Sequence, residues 1–388
     1  MKILICLFVI VNYLFAFPGS NYKEPTTVKK FFPVTPLVVT TPSITPGRTS
    51  FTTQKEMLDY LGAIHTKSNS TVVNLLGPTK DNNYLPVFVL SKGKKLTFKN
   101  TSNGKPTVML IAQQHGDEPM GCDVLMGTIK RIAQGGMNYL LDKVNIVIMP
   151  RINPDGAARF TRVARKNIDI NDDHQNYYTV EASAVSNIYD LFNPEVFVDL
   201  HEYIADKDCY SDIIKGGAVP YYDLLVLSPT NSNYPPNLND YAKHTLIRLR
   251  DELGKSDYHA DYYYNPFIKP KHGQPLILYR ATSDKNLARN AYGLKGSLAF
   301  LIELRGRDIG FENVERRLNS GLAAVQLLLE RVYFRVDEIK KLVAVERQNI
   351  GTGNGKLVLS ESNVTLPLIN IETGVLENTP AILVKQKN

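Results

Sequence analysis

Short apolar runs alternate along the chain with stretches in which apolar residues recur at helical spacing. Four runs have the length of buried strands, and each is followed at once or nearly so by polar or charged residues: 108–111, 144–149, 196–200 and 298–302. Helical spacing predicts helices at 54–66, 121–134 and 314–336. The alternation predicts an α/β sheet, in which ligands collect at the carboxyl ends of the strands. We therefore expect the polar residues after the four runs to meet in one crevice.

The pattern changes at both ends of the chain. An apolar stretch at 3–17 predicts an export signal cleaved after Ala16, with an uncleaved amphipathic start as the alternative. A secreted or periplasmic protein is expected, without a stable membrane anchor once residues 1–16 are removed. The Pro- and Thr-rich residues 17–50 predict an extended, poorly packed leader. The main domain is then expected at 51–343, followed by a small β-rich C-terminal extension at 344–388.

Composition narrows the class of protein. A chain of 388 residues with 43% hydrophobic content can build a substantial core. The net charge of +7 is spread along the chain without a concentrated basic stripe, so no nucleic-acid partner is expected. Outside the signal only Cys122 and Cys209 remain, either as one bridge or as two buried thiols, and the core must supply the stability. The oligomeric state stays open.

Candidate metal ligands follow two of the apolar runs. His115 and Glu118 come directly after the run 108–111, on a turn between a predicted strand and a predicted helix. His201 directly follows the run 196–200. Catalytic zinc commonly takes two histidines and one glutamate and keeps a fourth position open. Either motif alone has an ordinary explanation, a chance helix start or a packed histidine, but together they predict one zinc site.

Two carboxylates near these ligands are candidates for supporting roles. Glu303 ends the run 298–302 and is the predicted general base, because a carboxylate beside a metal can take a proton from water and pass it to the leaving amine. The alternative is an ordinary ion pair with Arg305. Asp199, two residues before His201, is the predicted partner that orients this imidazole, with a buried structural carboxylate as the alternative.

A family resemblance joins these residues. The chain carries, in this order and over about 190 residues, His115-x-x-Glu118, Asn153-Pro154-Asp155-Gly156, Asp169-Ile170-Asn171, His201 and Glu303. This combination resembles the zinc carboxypeptidase (metallocarboxypeptidase) family, and the phrases at 114–119 and 286–306 look like a secreted, mostly bacterial branch of it. The resemblance implies a mixed, mostly parallel eight-stranded sheet flanked by helices. It also implies one Zn²⁺ held by His115, Glu118 and His201, and hydrolysis by a zinc-bound water that Glu303 activates.

The resemblance also implies an arginine that stabilises the oxyanion, upstream of the Asp-x-Asn element. Arg162 and Arg165 both fit this place. Counting back from Asp169 without a gap favours Arg162, whereas the wording around Arg165 is closer to the family. Preorganised positive charge is what the attacked carbonyl needs as it becomes an oxyanion.

The family pattern breaks at Asp172. In the family, the asparagine here numbered Asn171 is followed by an arginine, and the two grip the substrate's terminal carboxylate. Two like charges about 4 Å apart near a protein surface repel by roughly 4 kcal/mol, so Asp172 opposes such a grip. Arg289 is the favoured replacement cation. The alternatives are an amine or neutral group at this subsite, as in an amidase for N-acyl amino acids or cell-wall peptides, and a catalytically silent binding protein.

Tyrosines are frequent before Glu303, and the family places a mobile tyrosine over its substrate. The candidates in this chain are Tyr262, Tyr263, Tyr264, Tyr279 and Tyr292. The pattern does not choose among them, since half-buried aromatic surface explains each one equally well.

Overall fold

A computed structural model of the chain describes residues 22–93, 97–100, 102–205, 210–211, 213–268, 276–350 and 358–387. The predicted signal at 1–16 lies outside these ranges and stays a prediction. Across the ranges just given, no helix is long and apolar enough to cross a lipid bilayer.

Thirteen strands and nine α-helices form the described part. The strands are β1 Thr71–Leu76, β2 Leu85–Leu90, β3 Thr107–Ala112, β4 Asn145–Met149, β5 Val196–Ile204, β6 Ala218–Pro220, β7 Leu224–Leu227, β8 Ala260–Tyr262, β9 Asn265–Ile268, β10 Leu276–Tyr279, β11 Leu298–Arg307, β12 Val358–Asn370 and β13 Leu376–Lys387. The helices are α1 Thr26–Lys29, α2 Gln54–Thr66, α3 Met120–Gln134, α4 Pro154–Arg159, α5 Val180–Phe192, α6 Pro236–Lys255, α7 Ala288–Leu294, α8 Val314–Phe334 and α9 Val336–Gln348. The helix predicted at 314–336 is confirmed as α8, which ends at Phe334 because Arg335 leaves the helical conformation, and α9 begins at Val336.

The main sheet has eight strands in the order β1-β2-β4-β3-β5-β11-β7-β8. Its four central strands β4, β3, β5 and β11 are parallel neighbours, and they are the four strands predicted from the apolar runs. The pairs β1–β2, β2–β4 and β11–β7 are antiparallel. The predicted mixed, mostly parallel eight-stranded sheet flanked by helices is confirmed.

Both faces of the central strands are buried, which explains why these runs are apolar without alternation. On β5, Val196, Val198 and Leu200 pack into the larger core with α3 and α8, whereas Phe197 faces the opposite core, with α5. A strand of this kind can carry polar side chains only near its end. The site therefore lies at the carboxyl edge of the four central strands.

The described part of the leader, residues 22–50, packs against the domain, so the prediction of a poorly packed segment is wrong there. Val28 and Phe32 are buried, and Glu24 forms a buried ion pair with Arg305 of β11. Val28 and Phe32 pack against Val219 of β6 and Ile369 of β12, whereas Val39 and Ile44 belong to the larger core. The alternative explanation of Glu303, a pair with Arg305, is excluded because Arg305 binds Glu24 instead.

The C-terminal segment forms strands, as expected, but it is not a separate extension. Its strands β12 and β13 join β6, β10 and β9 in a five-stranded sheet of order β6-β12-β13-β10-β9. The predicted boundary between residues 343 and 344 falls inside α9. Cys122 is a free, buried thiol with its Sγ 3.6 Å from Met57 Sδ, and Cys209 lies outside the described residues.

Candidate active site

The turn after β3 is held by close packing against helix α4. A Cβ atom on Gly116 would lie 2.1 Å from the carbonyl carbon of Gly156, so only glycine fits there. Asn153 caps α4 by accepting a hydrogen bond from the Gly156 amide at 2.8 Å, and its Nδ2 donates to the Gln114 carbonyl at 3.0 Å. The Asn-Pro-Asp-Gly motif therefore fixes the backbone of the turn 115–118.

Strands β5 and β11 place a histidine beside a glutamate. His201 is the register partner of Glu303 in this parallel pair. Paired positions on neighbouring strands point to the same face of a sheet, and residues two apart on one strand do so as well. Asp199, His201 and Glu303 thus share the face that the turn 115–118 approaches.

Three side chains bring one donor atom each to a common point. His115 Nδ1 lies 2.8 Å from Glu118 Oε1, His201 Nδ1 lies 2.9 Å from Glu118 Oε2, and the two Nδ1 atoms are 3.0 Å apart. These spacings are close to the roughly 3.3 Å between donor atoms in a tetrahedral zinc shell. Within the described ranges, no other group of three or more histidine, cysteine or carboxylate side chains converges in this way.

The far nitrogen of each imidazole faces a carboxylate. His115 Nε2 lies 3.1 Å from Asp169 Oδ1, and His201 Nε2 lies 3.0 Å from Asp199 Oδ2. A carboxylate only accepts hydrogen bonds, so each Nε2 carries the proton and each Nδ1 keeps its lone pair for a metal. Asp199 thus makes the contact expected of it. The contact between Asp169 and His115 was not predicted, because the Asp-Ile-Asn motif indicated the family but not which side chain Asp169 contacts.

The charges of this group suit a divalent cation. Burial raises the pKa of Glu118, but the two imidazoles outweigh it and hold this pKa well below the ordinary value. Burial lowers the pKa of His115 and His201, yet the surrounding carboxylates raise both pKa values overall. The pocket therefore attracts positive charge, and a metal ion would bind in competition with protons. One charged carboxylate and two imidazoles form a donor set that zinc prefers.

Glu303 is a buried carboxylate that faces the ligands. Burial raises its pKa to about 7, with His201 opposing and Glu118 reinforcing this shift. In the part of the chain that the structure describes, its side chain has no ion pair. The residue is 8% exposed, so part of the carboxylate faces the cleft. A carboxylate with this pKa and a free face can both accept and return a proton near neutral pH.

The two candidate arginines lie in different places. Arg162 borders the ligands, with Nη1 3.4 Å from Glu118 Oε1, and its Nε donates to Asp169 Oδ2 at 2.9 Å. Arg165 is exposed, and its Nε donates to Asp81 Oδ1 at 2.8 Å. Of the two, Arg162 lines the cleft beside the ligands.

Comparisons with known proteins agree with this geometry. The sequence profile described as zinc carboxypeptidase matches residues 57–318, about two thirds of the chain. The chain belongs to the zinc carboxypeptidase family. Members of this family are zinc metallopeptidases, and the matched residues contain the three candidate ligands, Arg162 and Glu303.

Individual relatives are distant. The chain is 26% identical over 382 residues to carboxypeptidase 2 of Trichophyton equinum, covering 94% of this chain and 69% of that protein. It is 28% identical over 304 residues to carboxypeptidase 2 of Trichophyton tonsurans, covering 77% of this chain and 54% of that protein. Both relatives are fungal, and the bacterial branch suggested by two phrases stays a prediction.

Solved structures share the fold. A metallo-carboxypeptidase from Pseudomonas aeruginosa, in complex with (2-guanidinoethylmercapto)succinic acid, superimposes with a TM-score of 0.53 at 19% identity, over 74% of this chain and 69% of that one. Carboxypeptidase A from Helicoverpa armigera gives 0.54 at 13% identity, over 73% of this chain and 74% of that one. At these identities the likeness supports the carboxypeptidase fold alone.

The residues expected at the family's carboxylate subsite lie together in a cleft of about 720 Å³ that also contains the metal ligands. Asn171 is buried, and its Oδ1 accepts a hydrogen bond from the Ala288 amide at 3.0 Å. Asp172 is exposed on the cleft wall, where burial of part of its side chain and the charge of Asp169 raise its pKa. Arg289 follows Ala288 directly, so Asn171 and Arg289 are neighbours in space.

Arg289 differs from most buried arginines of the molecule. Its Nη2 donates to the Thr282 carbonyl at 2.9 Å, whereas its Nε, like that of Arg305 and Arg317, has no hydrogen bond among the described residues. Only 4% of Arg289 is exposed, and the described residues provide no carboxylate that pairs with it. Burial lowers its pKa, whereas Tyr263, Glu303 and other groups around the cleft oppose this shift.

Three of the five candidate tyrosines line the cleft: Tyr263, Tyr264 and Tyr279. Tyr292 is buried behind the site, where its hydroxyl lies 3.0 Å from His174 Nδ1. Tyr262 lies between the guanidinium groups of Arg250 and Arg280, 4.5 and 4.6 Å from its ring centroid. The choice therefore narrows from five tyrosines to three.

Proposed function

We propose that this protein is a zinc-dependent carboxypeptidase that removes the C-terminal residue of a peptide and binds the terminal carboxylate with Arg289. The observation that carries the proposal is a buried guanidinium without a carboxylate partner among the described residues, in the same cleft as His115, Glu118, His201 and Glu303. A buried charge left unpaired is costly, so a substrate anion that pairs with it is favoured.

The metal site would be formed by His115, Glu118 and His201. When bound there, zinc supplies a Lewis acid that polarises the scissile carbonyl and lowers the pKa of water. Glu303 is the proposed general base. Its buried carboxylate takes a proton from the attacking water and returns it to the leaving amine, which completes hydrolysis of the amide bond.

Arg162 is the proposed oxyanion stabiliser. Asp169 binds its Nε at 2.9 Å and also contacts its Nη2 at 2.9 Å, which sets the plane of the guanidinium. The side chain is 37% exposed, so the remaining N–H groups can face the cleft. Fixed donors of this kind stabilise negative charge on a carbonyl oxygen without reorganising during the reaction. Arg165 lacks this role because Asp81 holds it at the surface.

Arg289 and Asn171 are the proposed binding groups for the terminal carboxylate. The fold places them side by side through the hydrogen bond from Ala288 to Asn171, which leaves the Asn171 amide nitrogen available as a donor. An arginine and an amide can together provide several directed hydrogen bonds to one carboxylate. Asp172, which replaces the family's arginine, would then lie next to the substrate without gripping it.

A second candidate is an amidase for a terminal residue that carries a free amine. Asp172 and Asp284 favour it, because both are exposed carboxylates on the cleft wall that make no ion pair within the described residues. An ammonium group near these two carboxylates would be stabilised electrostatically. Rates on peptides that end in lysine and in acetylated lysine distinguish the two candidate functions. The amidase requires the free amine of lysine, whereas the carboxypeptidase does not.

The test compares one peptide series with free and with amidated carboxyl ends. The wild-type protein is expected to prefer the free end, and Arg289→Ala should remove most of this preference, mainly by raising KM. Arg280→Ala is the matched control, because Arg280 also lines the cleft but stacks on the ring of Tyr262. Equal rates on both peptide forms in the wild-type protein would contradict the carboxylate clamp.

Export of the protein is also proposed, on the basis of the apolar stretch at 3–17. Identifying the N-terminal residue of the mature protein tests this proposal.

A further inference from the structure

A line of buried polar groups connects the aromatic core behind the site to the ligand His201. Its members are Tyr292, His174, Gln114 and Asp199, and each is at most 1% exposed. The proposed function assigns no role to the first three. The four residues come from four different segments of the chain, and the predicted motifs give no reason for a histidine at position 174.

The hydrogen bonds of this line have only one consistent direction. Gln114 Nε2 lies 2.8 Å from Asp199 Oδ2, and a carboxylate only accepts, so the amide nitrogen must face Asp199. The amide oxygen of Gln114 then faces His174 Nε2 at 2.6 Å, and this oxygen also only accepts. His174 must therefore carry its proton on Nε2.

The other side of His174 completes the assignment. Its Nδ1 lies 3.0 Å from the Tyr292 hydroxyl, which can donate to it. Burial lowers the pKa of His174 to about 4, so the ring is neutral near pH 7 and Nδ1 is an acceptor. The Tyr292 ring is packed between Tyr189 and Phe197, with centroids 4.5 and 4.4 Å away, which fixes the position of this donor.

Asp199 depends on this line. Its Oδ2 accepts hydrogen bonds from both Gln114 Nε2 and His201 Nε2, whereas its buried Oδ1 has no hydrogen bond in the part of the chain that the structure describes. If the Gln114 amide turned over, its oxygen would oppose Oδ2 and its nitrogen would oppose the N–H of His174. Asp199 would then rotate or lose its hold on the His201 N–H. The orientation of the Gln114 amide therefore determines how Asp199 presents itself to His201.

We propose that His174 is a positioning residue of the metal centre, which locks the Gln114 amide so that Asp199 holds the proton of His201 on Nε2 and leaves Nδ1 for the metal. The proposal rests on the proposed metal ligands but not on any substrate. Loss of a hydrogen-bonding partner behind a metal ligand typically weakens metal binding by about 10- to 100-fold. His174 lies two groups behind the ligand, so the lower end, about 10-fold, is expected.

The test compares two substitutions of similar size. His174→Gln can keep a nitrogen near the position of Nε2 and so retain the donor to Gln114. His174→Asn is too short to reach Gln114. Zinc affinity of the full-length protein is measured by competition with a chelator, without substrate. We expect His174→Asn to bind zinc about 10-fold more weakly and His174→Gln to stay within about 2-fold of the wild-type protein.

A second readout needs no metal. At a pH above the raised pKa of His201, where the metal-free ring is neutral, nitrogen NMR of the wild-type protein should show the proton on Nε2, and His174→Asn should show a mixture of the two tautomers. Tyr292→Phe, which removes one hydroxyl and keeps the ring, should shift the mixture in the same direction. Equal zinc affinity in His174→Asn and the wild-type protein, or equal losses in His174→Asn and His174→Gln, would overturn the proposal.

If both His174 variants fail to fold, Tyr292→Phe decides, and an unchanged His201 tautomer in that variant also overturns it. Failure of the proposed carboxypeptidase activity would leave these affinities and spectra unaffected. The two hypotheses can therefore fail separately.

Discussion

The two ends of the cleft differ in how their charges are balanced. At the ligand end, formed by His115, Glu118 and His201, each imidazole Nε2 faces its own carboxylate and the three donor atoms face each other. At the clamp end, formed by Asn171, Asp172 and Arg289, the described residues provide no carboxylate partner for the buried guanidinium. Asp172 makes no ion pair within the described ranges. The polar groups of the ligand end have partners without a substrate, whereas the charges of the clamp end do not.

Three other buried arginines have the carboxylate partner that Arg289 lacks among the described residues. Arg305 pairs with Glu24, Arg316 pairs with Asp223 at 2.6 Å, and Arg317 pairs with Glu202 at 2.6 Å. A fourth, Arg151, has no ion pair among the described residues, but its Nε donates to Gln113 Oε1 and its Nη2 to the Thr52 carbonyl, each at 2.7 Å. Three of these four buried arginines thus have a carboxylate partner, and the fourth is held by neutral acceptors. A buried charge that lacks a partner in a cleft is evidence that a ligand supplies the partner. Buried charges that already have partners are evidence for a site that is preorganised before a ligand binds.

Removing the metal should have the largest effect, because it breaks the ligand end directly. Chelation is expected to abolish hydrolysis, and added zinc should restore it. Glu118→Gln should weaken zinc binding by more than the roughly 10- to 100-fold that loss of an outer partner costs. Glu181→Gln is the matched control, since Glu181 is also a buried carboxylate but lies on α5, away from the ligands. Full activity in a protein shown to be free of metal would refute the metal site.

Glu303→Gln separates chemistry from metal binding at the same end. The amide keeps the size of the side chain but cannot take a proton, so kcat should fall by about 10²- to 10⁴-fold. Zinc content and KM should stay near the wild-type values, because Glu303 is not one of the three ligands. Stoichiometric zinc by elemental analysis, together with steady-state kinetics, checks this outcome. A variant with wild-type kcat would mean that another group is the base.

Asp172→Asn tests the clamp end. Removing the negative charge beside the proposed carboxylate subsite should raise kcat/KM for peptides with a free carboxyl end by about 10-fold, which corresponds to about 1.4 kcal/mol. Peptides with an amidated end serve as the control and should change little. If kcat/KM instead falls for peptides ending in lysine and stays constant for the others, Asp172 binds an amine and the second candidate function is favoured.

The ligand end could be predicted from sequence because its signals are local. Each of the four central strands is a short apolar run with polar residues at its end, and His115, Glu118, His201 and Glu303 follow from that pattern. The pairing of His201 with Glu303 in the strand register then needs only the parallel order of the central strands. Burial on both faces enforces these runs, so the physical cause and the sequence signal coincide.

The remaining features depend on contacts between distant segments, which no local pattern reports. Gln114 meets His174 across 60 residues and Asp199 across 85, and Glu24 meets Arg305 across 281. The leader was expected to be poorly packed because it is rich in Pro and Thr. The residues that bury themselves against the domain, such as Val28 and Phe32, could be identified only from the structure, because the surface that they cover is formed by distant segments.

The smallest expected effect concerns a paired carboxylate outside the cleft. It measures how much an ion pair that needs no ligand contributes to the free energy of unfolding. Glu56 caps helix α2 together with Thr53 and binds Arg48 at 2.6 Å, and the Arg48 guanidinium lowers its pKa to about 2 against the opposing effect of burial. A lowered pKa stabilises the folded state above the ordinary value of 4.5, and this contribution is lost as the pH falls towards 2.

Because about a third of its side chain is exposed, we expect Glu56→Gln to lower the free energy of unfolding by only about 1 kcal/mol at pH 7, and by less at pH 3.5. Urea unfolding at both values measures this. Asp59→Asn is the control in the same helix, since its pair with Lys55 is largely exposed and should contribute nothing measurable at either pH. A loss in Glu56→Gln that is independent of pH would assign the effect to the helix cap and not to the charge pair.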